Sequence, residues 1–443
     1  MRPERKVHMR HADFGKINEK GSADVFVAGG GVAGAAAALQ AARAGKTVIL
    51  AEKSVKLGGL ATLGLINLFV AMCNGRGKQI QFGMAEEFAR LSIRYGYGDI
   101  PADFENGRIP EEKIAAYLKK GKKVPRYKTL FDPEIFALSL TEILTEAGVK
   151  LLFDASVMGV LMNEEEPKKL DGVVLLTASG LELYRAKEFI DTTGNADLLA
   201  LAGVETKTRG NYHIYAGYQV SLDSCREAIE AGDIRKVFKD CFGGSINLYG
   251  KNQPEDIAPY VGTDSEDVNR YFIGNQLELL SKFKDSENRK KRAISTLPGM
   301  PQFRTVRRIE GDYVLKDGDE YRHFEDSIAA ISDFDRRDYL YEIPLRALTR
   351  REFPNLITAG RSAAGEGYLW DVIRVIPPAI LTGQAAGMAA SLAIEKGTGI
   401  ADVPIGELQK KLSDAGVLIH FDDADVPESP RPDSGIDENS DRV

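Results

Sequence analysis

Cysteine, histidine and tryptophan are scarce in this 443-residue chain: three, five and one, respectively. Cys73, Cys225 and Cys241 form no C-x-x-C pair, so the chain cannot hold an iron–sulfur cluster on four thiolates of its own, and no disulfide framework is expected. His8, His11, His213, His323 and His420 show no ligand spacing beyond the i, i+3 pair His8/His11, and no metal site is expected. An excess of one charge is also lacking. The 58 basic and 65 acidic residues leave a net −7, of which −6 lies in residues 421–443, so the body is almost neutral. Without a broad cationic surface, nucleic acid is not an expected partner. Long hydrophobic runs are missing too. The most apolar stretch, residues 60–73, includes Thr62, Gly64 and Asn67 and is too short to span a bilayer. Residues 1–22 carry charge but no apolar core of a secretory signal. A cytoplasmic protein with no membrane partner is the expectation.

Glycine, by contrast, is plentiful: 44 residues, gathered in tight clusters. Residues 25–28 form a short apolar run that reads as a buried parallel strand. Residues 32–44 are alanine-rich and read as a close-packed helix stopped by Gly45. Residues 47–51 form a second buried strand that ends on Glu52. Between the first strand and the helix stands Gly29-Gly30-Gly31-Val32-Ala33-Gly34. In this G-x-G-x-x-G, Gly29 allows a tight turn, Gly31 lets backbone amides approach a pyrophosphate, and Gly34 lets the helix pack on the sheet. The helix N-terminus adds positive potential for phosphate. Glu52 is placed to accept hydrogen bonds from a ribose and would repel a 2′-phosphate. Further along, Asp132-Pro133 starts a helix that Gly148 stops. Strands are expected at 149–153, 171–178, 181–190 and 355–359, with a helix from Pro378 to Lys396.

Five stretches together resemble the FAD-dependent oxidoreductases, whose nucleotide-binding fold is related to glutathione reductase and to the succinate dehydrogenase/fumarate reductase flavoproteins. They are residues 25–53; Leu57-Gly58-Gly59-Leu60-Ala61-Thr62 with Gly64-Leu65-Ile66-Asn67; Asp191-Thr192-Thr193-Gly194; residues 304–315; and residues 341–393, with Thr358-Ala359-Gly360-Arg361 and Thr382-Gly383-Gln384-Ala385-Ala386-Gly387. The resemblance implies an α/β, Rossmann-like FAD domain with an inserted α+β substrate domain. It implies FAD-binding roles for Gly29, Gly31, Val32, Ala33, Gly34, Glu52, Lys53, Gly58, Gly59, Thr62, Thr193, Gly194, Gly360, Arg361, Arg374, Gly383, Gln384 and Ala385. Gly58 and Gly59 would pass near the diphosphate and ring, and Thr193 and Gly194 near the adenosine half. Gly360 and Arg361 would approach the pyrophosphate and ribityl, and Gly383 and Gln384 would open the last long helix against the isoalloxazine. Two departures stand out. Asn195 replaces the acid common after the T-G pair, and no histidine for covalent attachment follows Gly59, so the FAD is expected to be non-covalent.

The expected organisation is an N-terminal extension (1–22), a discontinuous FAD domain (23–205 and 340–420), a substrate domain (206–339) and a disordered acidic tail (421–443). The expected activity is flavin-mediated hydride transfer on a small organic substrate. The alternative is an electron-transfer subunit serving a separate redox protein. No second G-x-G-x-x-G with a following acid is present, so the electron donor or acceptor is not identified, and a homo-oligomer is left open. Arg304 and Arg374 are candidates to receive an anionic substrate group, since a guanidinium among Val372, Ile373, Val375 and Ile376 must find a partner. His213 is a candidate acid–base group. Cys73 reads first as a buried apolar residue.

Overall fold

The computed structural model describes residues 16–104, 107–246, 250–284 and 287–428. Its centre is a seven-stranded sheet. Strand β1 (Asn18–Ala28) leads into helix α1 (Val32–Arg43) and strand β2 (Val48–Ala51). This is the crossover unit that the glycine cluster and the alanine run predict. Helix α2 (Met84–Ile93) and helix α3 (Pro133–Glu146) follow, the latter capped by Asp132, whose side chain accepts from the Glu134 and Ile135 amides. Next come β3 (Lys150–Leu152) and three antiparallel strands, β4 (Ser156–Met162), β5 (Leu170–Thr177) and β6 (Gly180–Asp191).

β3, β2, β1 and β6 run parallel in that order. β6 then changes partner along its length. Its first half pairs with β5, and its last residues pair in parallel with β12 (Leu356–Thr358, numbered after the strands introduced below). The register sets Ala28, Ala51, Asp191 and Thr358 level with one another. The glycine-bearing turns therefore leave one carboxyl edge of the sheet together, which is where open α/β sheets bind ligands.

The insert is built from strands β7 (Ile214–Ser221), β8 (Lys239–Ser245) and β9 (Arg292–Thr296), with β7 central, and from helix α4 (Ser265–Phe283). It has its own aromatic core: Tyr215, Cys241, Tyr260, Tyr271, Leu279, Phe303 and Val306. Beyond it, β10 (Ser327–Ser332) and β11 (Leu340–Pro344) form a hairpin. The chain then passes through β12, a short helix α5 (Gly367–Ile373) and the long helix α6 (Ile376–Lys396). α6 packs along α1 and is buried from Ile376 to Ala393. Among the described residues, no single helix is long and apolar enough to cross a membrane.

Three expected boundaries move. β1 begins at Asn18 rather than near Ala23, because residues 18–22 continue the pairing with β6; residues 1–15 lie outside the described part. Ile309, Leu315, Phe324, Ile328 and Phe334 were expected in the insert, yet they pack in the large core, since the β10–β11 hairpin lies under α6. Residues 421–426 are not a free tail. Phe421 is buried with Ile80, Ala330 and Leu340, and Asp425 pairs with Lys78 at 2.6 Å. Residues 429–443 lie outside the described part.

Candidate functional site

The first glycine cluster divides into positions that the protein itself explains and one that it does not. A Cβ built on Gly34 would stand 1.9 Å from the Gly29 carbonyl oxygen, and one on Gly29, at φ +99°, 2.5 Å from the Thr192 carbonyl oxygen. Strand, turn and helix are too close there for any side chain. At Gly31 the backbone is ordinary (φ −63°, ψ 178°), and a Cβ would meet nothing within 4 Å. Neither strain nor packing within the chain calls for glycine at 31. The space in front of α1 is open there. Gly31 is also the N-cap of α1, and no side chain caps the helix there, so its first turn keeps the anion-binding character of a free helix N-terminus. Val32 is half-buried and Ala33 buried beside it.

Glu52, directly after β2, is almost fully buried. Its Oε2 accepts from the Gly30 amide at 2.7 Å and its Oε1 from the Ser54 amide at 2.8 Å. The carboxylate thus anchors the glycine turn while keeping acceptor capacity on both oxygens. Lys53 beside it is exposed. Gly58 donates its amide to the Gly30 carbonyl at 2.8 Å, which lays the Gly58–Gly59 turn against Gly31. Thr62 is turned inward and donates to the Leu57 carbonyl at 2.5 Å.

On the other side of β1, the buried Asp191 orders the Thr193–Gly194 turn. Its Oδ1 accepts from the Thr193 amide and hydroxyl, and its Oδ2 from the Leu199 amide. Burial pushes the Asp191 carboxyl up to about 6, against the pull of these donors. Gly360 donates to the Thr382 hydroxyl at 2.9 Å. Arg361 donates to the Gly194 carbonyl at 2.7 Å, to Asn195 Oδ1 at 2.8 Å and to the Phe303 carbonyl. Asn195, the departure from the family's acid, thus serves as an acceptor for Arg361. Burial, then the Arg374 guanidinium nearby, pulls Arg361 down to about 10.

α6 starts at Ile376, with Pro377 and Pro378 in its first turn and no side-chain cap. Gly383, Gln384 and Ala385 therefore do not open the helix as expected. They lie in its second and third turns and are buried. A Cβ on Gly383 would stand 2.1 Å from the Ala33 carbonyl oxygen, and one on Gly387 2.3 Å from that of Ala37. Gln384 accepts from the Met84 amide at 3.0 Å. These small residues let α6 run beside α1 in the same direction. With Gly383 level with Ala33, α6 begins about 9 Å ahead of α1 at 1.5 Å per residue. Two uncapped helix N-termini therefore lie on one side of the sheet, staggered along it.

The insert meets this edge through two side chains and one backbone amide. Tyr218 donates to Asn67 Oδ1 at 2.6 Å, Gln302 Nε2 donates to the Gly64 carbonyl at 2.7 Å, and the Gly299 amide to the Leu63 carbonyl at 2.9 Å. Arg374 finds its partner in Asp371, with Nε 2.8 Å from Oδ1. Asp371 also receives Arg209, which lies over the Trp370 ring and reaches the Thr305 hydroxyl at 3.1 Å. Arg304 lines a small cleft with Arg209, Asn211, Tyr212 and Gln302 and donates to the Ile246 carbonyl at 3.2 Å. Arg304 and Arg374 are thus linked through Thr305, Arg209 and Asp371. His213 is not among them. It is buried in the insert's core, with Nδ1 2.8 Å from the Tyr260 hydroxyl and Nε2 3.0 Å from Glu278 Oε2. Cys73 is fully buried, and burial pushes its thiol up to about 12, which leaves it unreactive.

Sequence reasoning missed Asn67, Arg209, Tyr218, Gln302 and Asp371 as contact-forming residues. A polar residue inside the apolar 60–73 stretch was the available signal for Asn67. It also missed that His323 and His420 converge on Glu342.

A family profile described as "FAD dependent oxidoreductase" matches residues 24–220 and 256–412, most of the chain. Among solved structures, a geranylgeranyl bacteriochlorophyll reductase-like protein from Thermoplasma acidophilum aligns at TM-score 0.40 and 16% identity, over 89% of this chain and 82% of its own. L-proline dehydrogenase from P. horikoshii aligns at 0.39 and 15%, over 91% and 100%. p-Nitrophenol 4-monooxygenase from Pseudomonas putida DLL-E4 aligns at 0.40 and 15%, over 91% of each chain. Likeness at these scores carries nothing about substrate. No curated protein matches the sequence.

Proposed function

The chain belongs to the FAD-dependent oxidoreductase family and takes FAD as its cofactor, and from that premise we propose that it transfers hydride to or from a small organic substrate held between the insert and residues 59–67. The observation that carries the binding half of this reading is Gly31, a glycine whose only use is the space it leaves before an uncapped helix. The pyrophosphate would take the α1 N-terminus. Glu52 and the Thr193–Gly194 turn would serve the adenosine end, and the Gly58–Gly59 turn and the α6 N-terminus the flavin end. The stagger of the two helix starts suits a long two-ended ligand with partial negative charge at two places. No attachment histidine follows Gly59, so the FAD would be released intact by acid precipitation.

The bound flavin would supply the hydride chemistry. The chain's own part would be to position and exclude water. Tyr218, Gln302 and Gly299 would clamp the insert over the 59–67 segment. Arg304 would meet an anionic group of the substrate from the small cleft it lines with Arg209, Asn211 and Gln302. The test is anaerobic titration of the purified yellow protein with small organic acids, alcohols and amines, following bleaching of the flavin bands. Bleaching by one of these classes, lost in Arg304→Met with FAD retained, supports the reading. Reduction only by a co-purifying redox protein replaces it with the electron-transfer reading. Wild-type reduction kinetics in Arg304→Met remove Arg304 from the site.

A further inference from the structure

Glu342 on β11 is fully buried, and its close partners are one backbone amide and two imidazoles. Its Oε2 accepts from the Phe324 amide at 2.8 Å. The other close neighbours are two imidazoles. His323 Nδ1 lies 2.6 Å from Oε1, and His420 Nδ1 lies 3.0 Å from both oxygens. The ligand atoms of all three residues fall within 4.8 Å of one another. On the far side of its ring, His323 Nε2 is 3.0 Å from Asp423 Oδ1.

The Asp423 contact fixes the chemistry. A carboxylate only accepts, so His323 must present its N–H at Nε2. A neutral His323 then turns the Nδ1 lone pair straight at a carboxylate oxygen 2.6 Å away, which is repulsive. A second proton, on Nδ1, removes the conflict by making the ring a donor to both carboxylates, and so does a metal cation seated between the two groups. A carboxylate behind the outer nitrogen of an imidazole, with the inner nitrogen free to bind, is the arrangement that orients metal-bound histidine.

We propose that His323, Glu342 and His420 form a binding site for a borderline divalent transition metal of the zinc class, with Asp423 orienting His323. Two imidazoles and a carboxylate suit zinc and its neighbours better than magnesium or calcium, which prefer all-oxygen sets. Bonds of about 2.0–2.2 Å would put neighbouring ligand atoms about 3.3 Å apart in a tetrahedron. The His420 imidazole must therefore withdraw by about 0.3 Å and that of His323 by about 0.7 Å, from 3.0 and 2.6 Å respectively. They can, since both side chains are more than 40% exposed. That exposure also leaves a position for water. The three ligands come from three separate stretches of chain, so the site has no spacing signature.

The location gives the site its effect. Residues 418–426 run across the β10–β11 hairpin. The Ala330 amide donates to the Leu418 carbonyl, and the Ser327 hydroxyl to the Ile419 carbonyl. Phe421 stacks on the His323 ring at 4.4 Å. A metal held by His420 would clamp this C-terminal strap to β11.

The test uses the full-length, FAD-loaded protein, stripped with a chelator and dialysed against Zn2+ or Co2+. Wild type should retain one equivalent of Zn2+ and melt higher than the stripped protein. With Co2+ it should show a tetrahedral ligand-field band at longer wavelength than the flavin bands. His420→Ala and His323→Ala replace half-exposed side chains and should keep the flavin spectrum, which reports folding, while losing the equivalent and the band. Asp423→Ala should weaken binding roughly 10–100-fold. Failure of wild type to retain stoichiometric metal, or retention unchanged in both histidine variants, overturns the site. A clamp whose melting responds to pH and not to chelator would be held by protons alone, which also overturns it.

Discussion

The nucleotide-binding edge and the insert are put together by different means. At the edge, contacts are backbone to backbone: Gly29 against Thr192, Gly34 against Gly29, Gly58 against Gly30, Gly383 against Ala33. Side chains there are small or absent, and Glu52 and Asp191 use theirs to hold amides. The insert has a backbone-paired sheet of its own, but its core is a cluster of aromatic rings and its hold on the 60–67 segment is mostly by side chains. A backbone contact fixes residue type strictly, because only glycine fits. A side-chain contact fixes it loosely, since several residues could fill the same role. The glycine contacts of the edge should therefore respond to substitution in an all-or-none way and the side-chain contacts of the insert by degrees.

The harshest test is a pair of glycines on the two helices that meet at this edge. Gly383→Val drives a branched side chain into the Ala33 carbonyl, and neither helix can shift without moving the buried length of α6. We expect a cost of about 3 kcal/mol or more and little soluble protein. Gly31→Val has room and an ordinary backbone, so the apoprotein should melt close to wild type. Its flavin content after dialysis should fall by about tenfold or more, the equivalent of ~1.4 kcal/mol. If Gly31→Val keeps its flavin, the open space before α1 has another purpose. If it fails to fold, Gly31 is a packing glycine like its neighbours and the comparison loses its sharpest point.

Glu52 mixes both behaviours and should give an intermediate effect. Glu52→Gln keeps the shape but puts an amide NH2 beside either the Gly30 or the Ser54 amide, so one buried donor loses its acceptor. A loss of about 1.5–3 kcal/mol is expected, shared between apoprotein stability and FAD affinity. Melting of the apoprotein and FAD titration separate the two shares. A purely ribose-binding Glu52 would leave the apoprotein melting unchanged.

The same contrast explains what could be read from the sequence. The crossover unit and its packing glycines, Gly29 and Gly34, were legible because strand, turn and helix approach too closely there for any side chain. The register of α6 was misread at Gly383, although the Pro377-Pro378 pair marks the helix start; there glycine signals a helix crossing, not a helix end. The partners of Arg209, Tyr218 and Gln302 lie 151–238 residues away along the chain in the clearest cases, and no local pattern announces them. His323, Glu342 and His420 were illegible for the same reason. The acidic composition of the C-terminus hid the apolar anchor Phe421, because average charge says little about one buried ring.

The smallest expected effect tests whether the insert acts only as a cover. Tyr218→Phe deletes the hydroxyl that donates to Asn67 Oδ1 at 2.6 Å and leaves the ring, which packs edge-on against Phe238. Asn67 keeps its bond from Nδ2 to the Phe131 carbonyl at 2.8 Å and a contact with Tyr97, so the 60–67 loop should stay in place. The cost should be that of one hydrogen bond, about 0.5–1.5 kcal/mol, seen as a slight drop in melting temperature with flavin content unchanged. Under the proposed function, the hydroxyl also lies where the insert closes on the segment after Gly59. Once a reducing substrate is known, its saturation constant should then rise more than the limiting reduction rate falls, because positioning is lost while the flavin's chemistry is untouched. A variant with the expected small stability loss and wild-type reduction at every substrate concentration would make Tyr218 a hinge pin between two units. The substrate would then have to be sought on the Arg304 side of the insert.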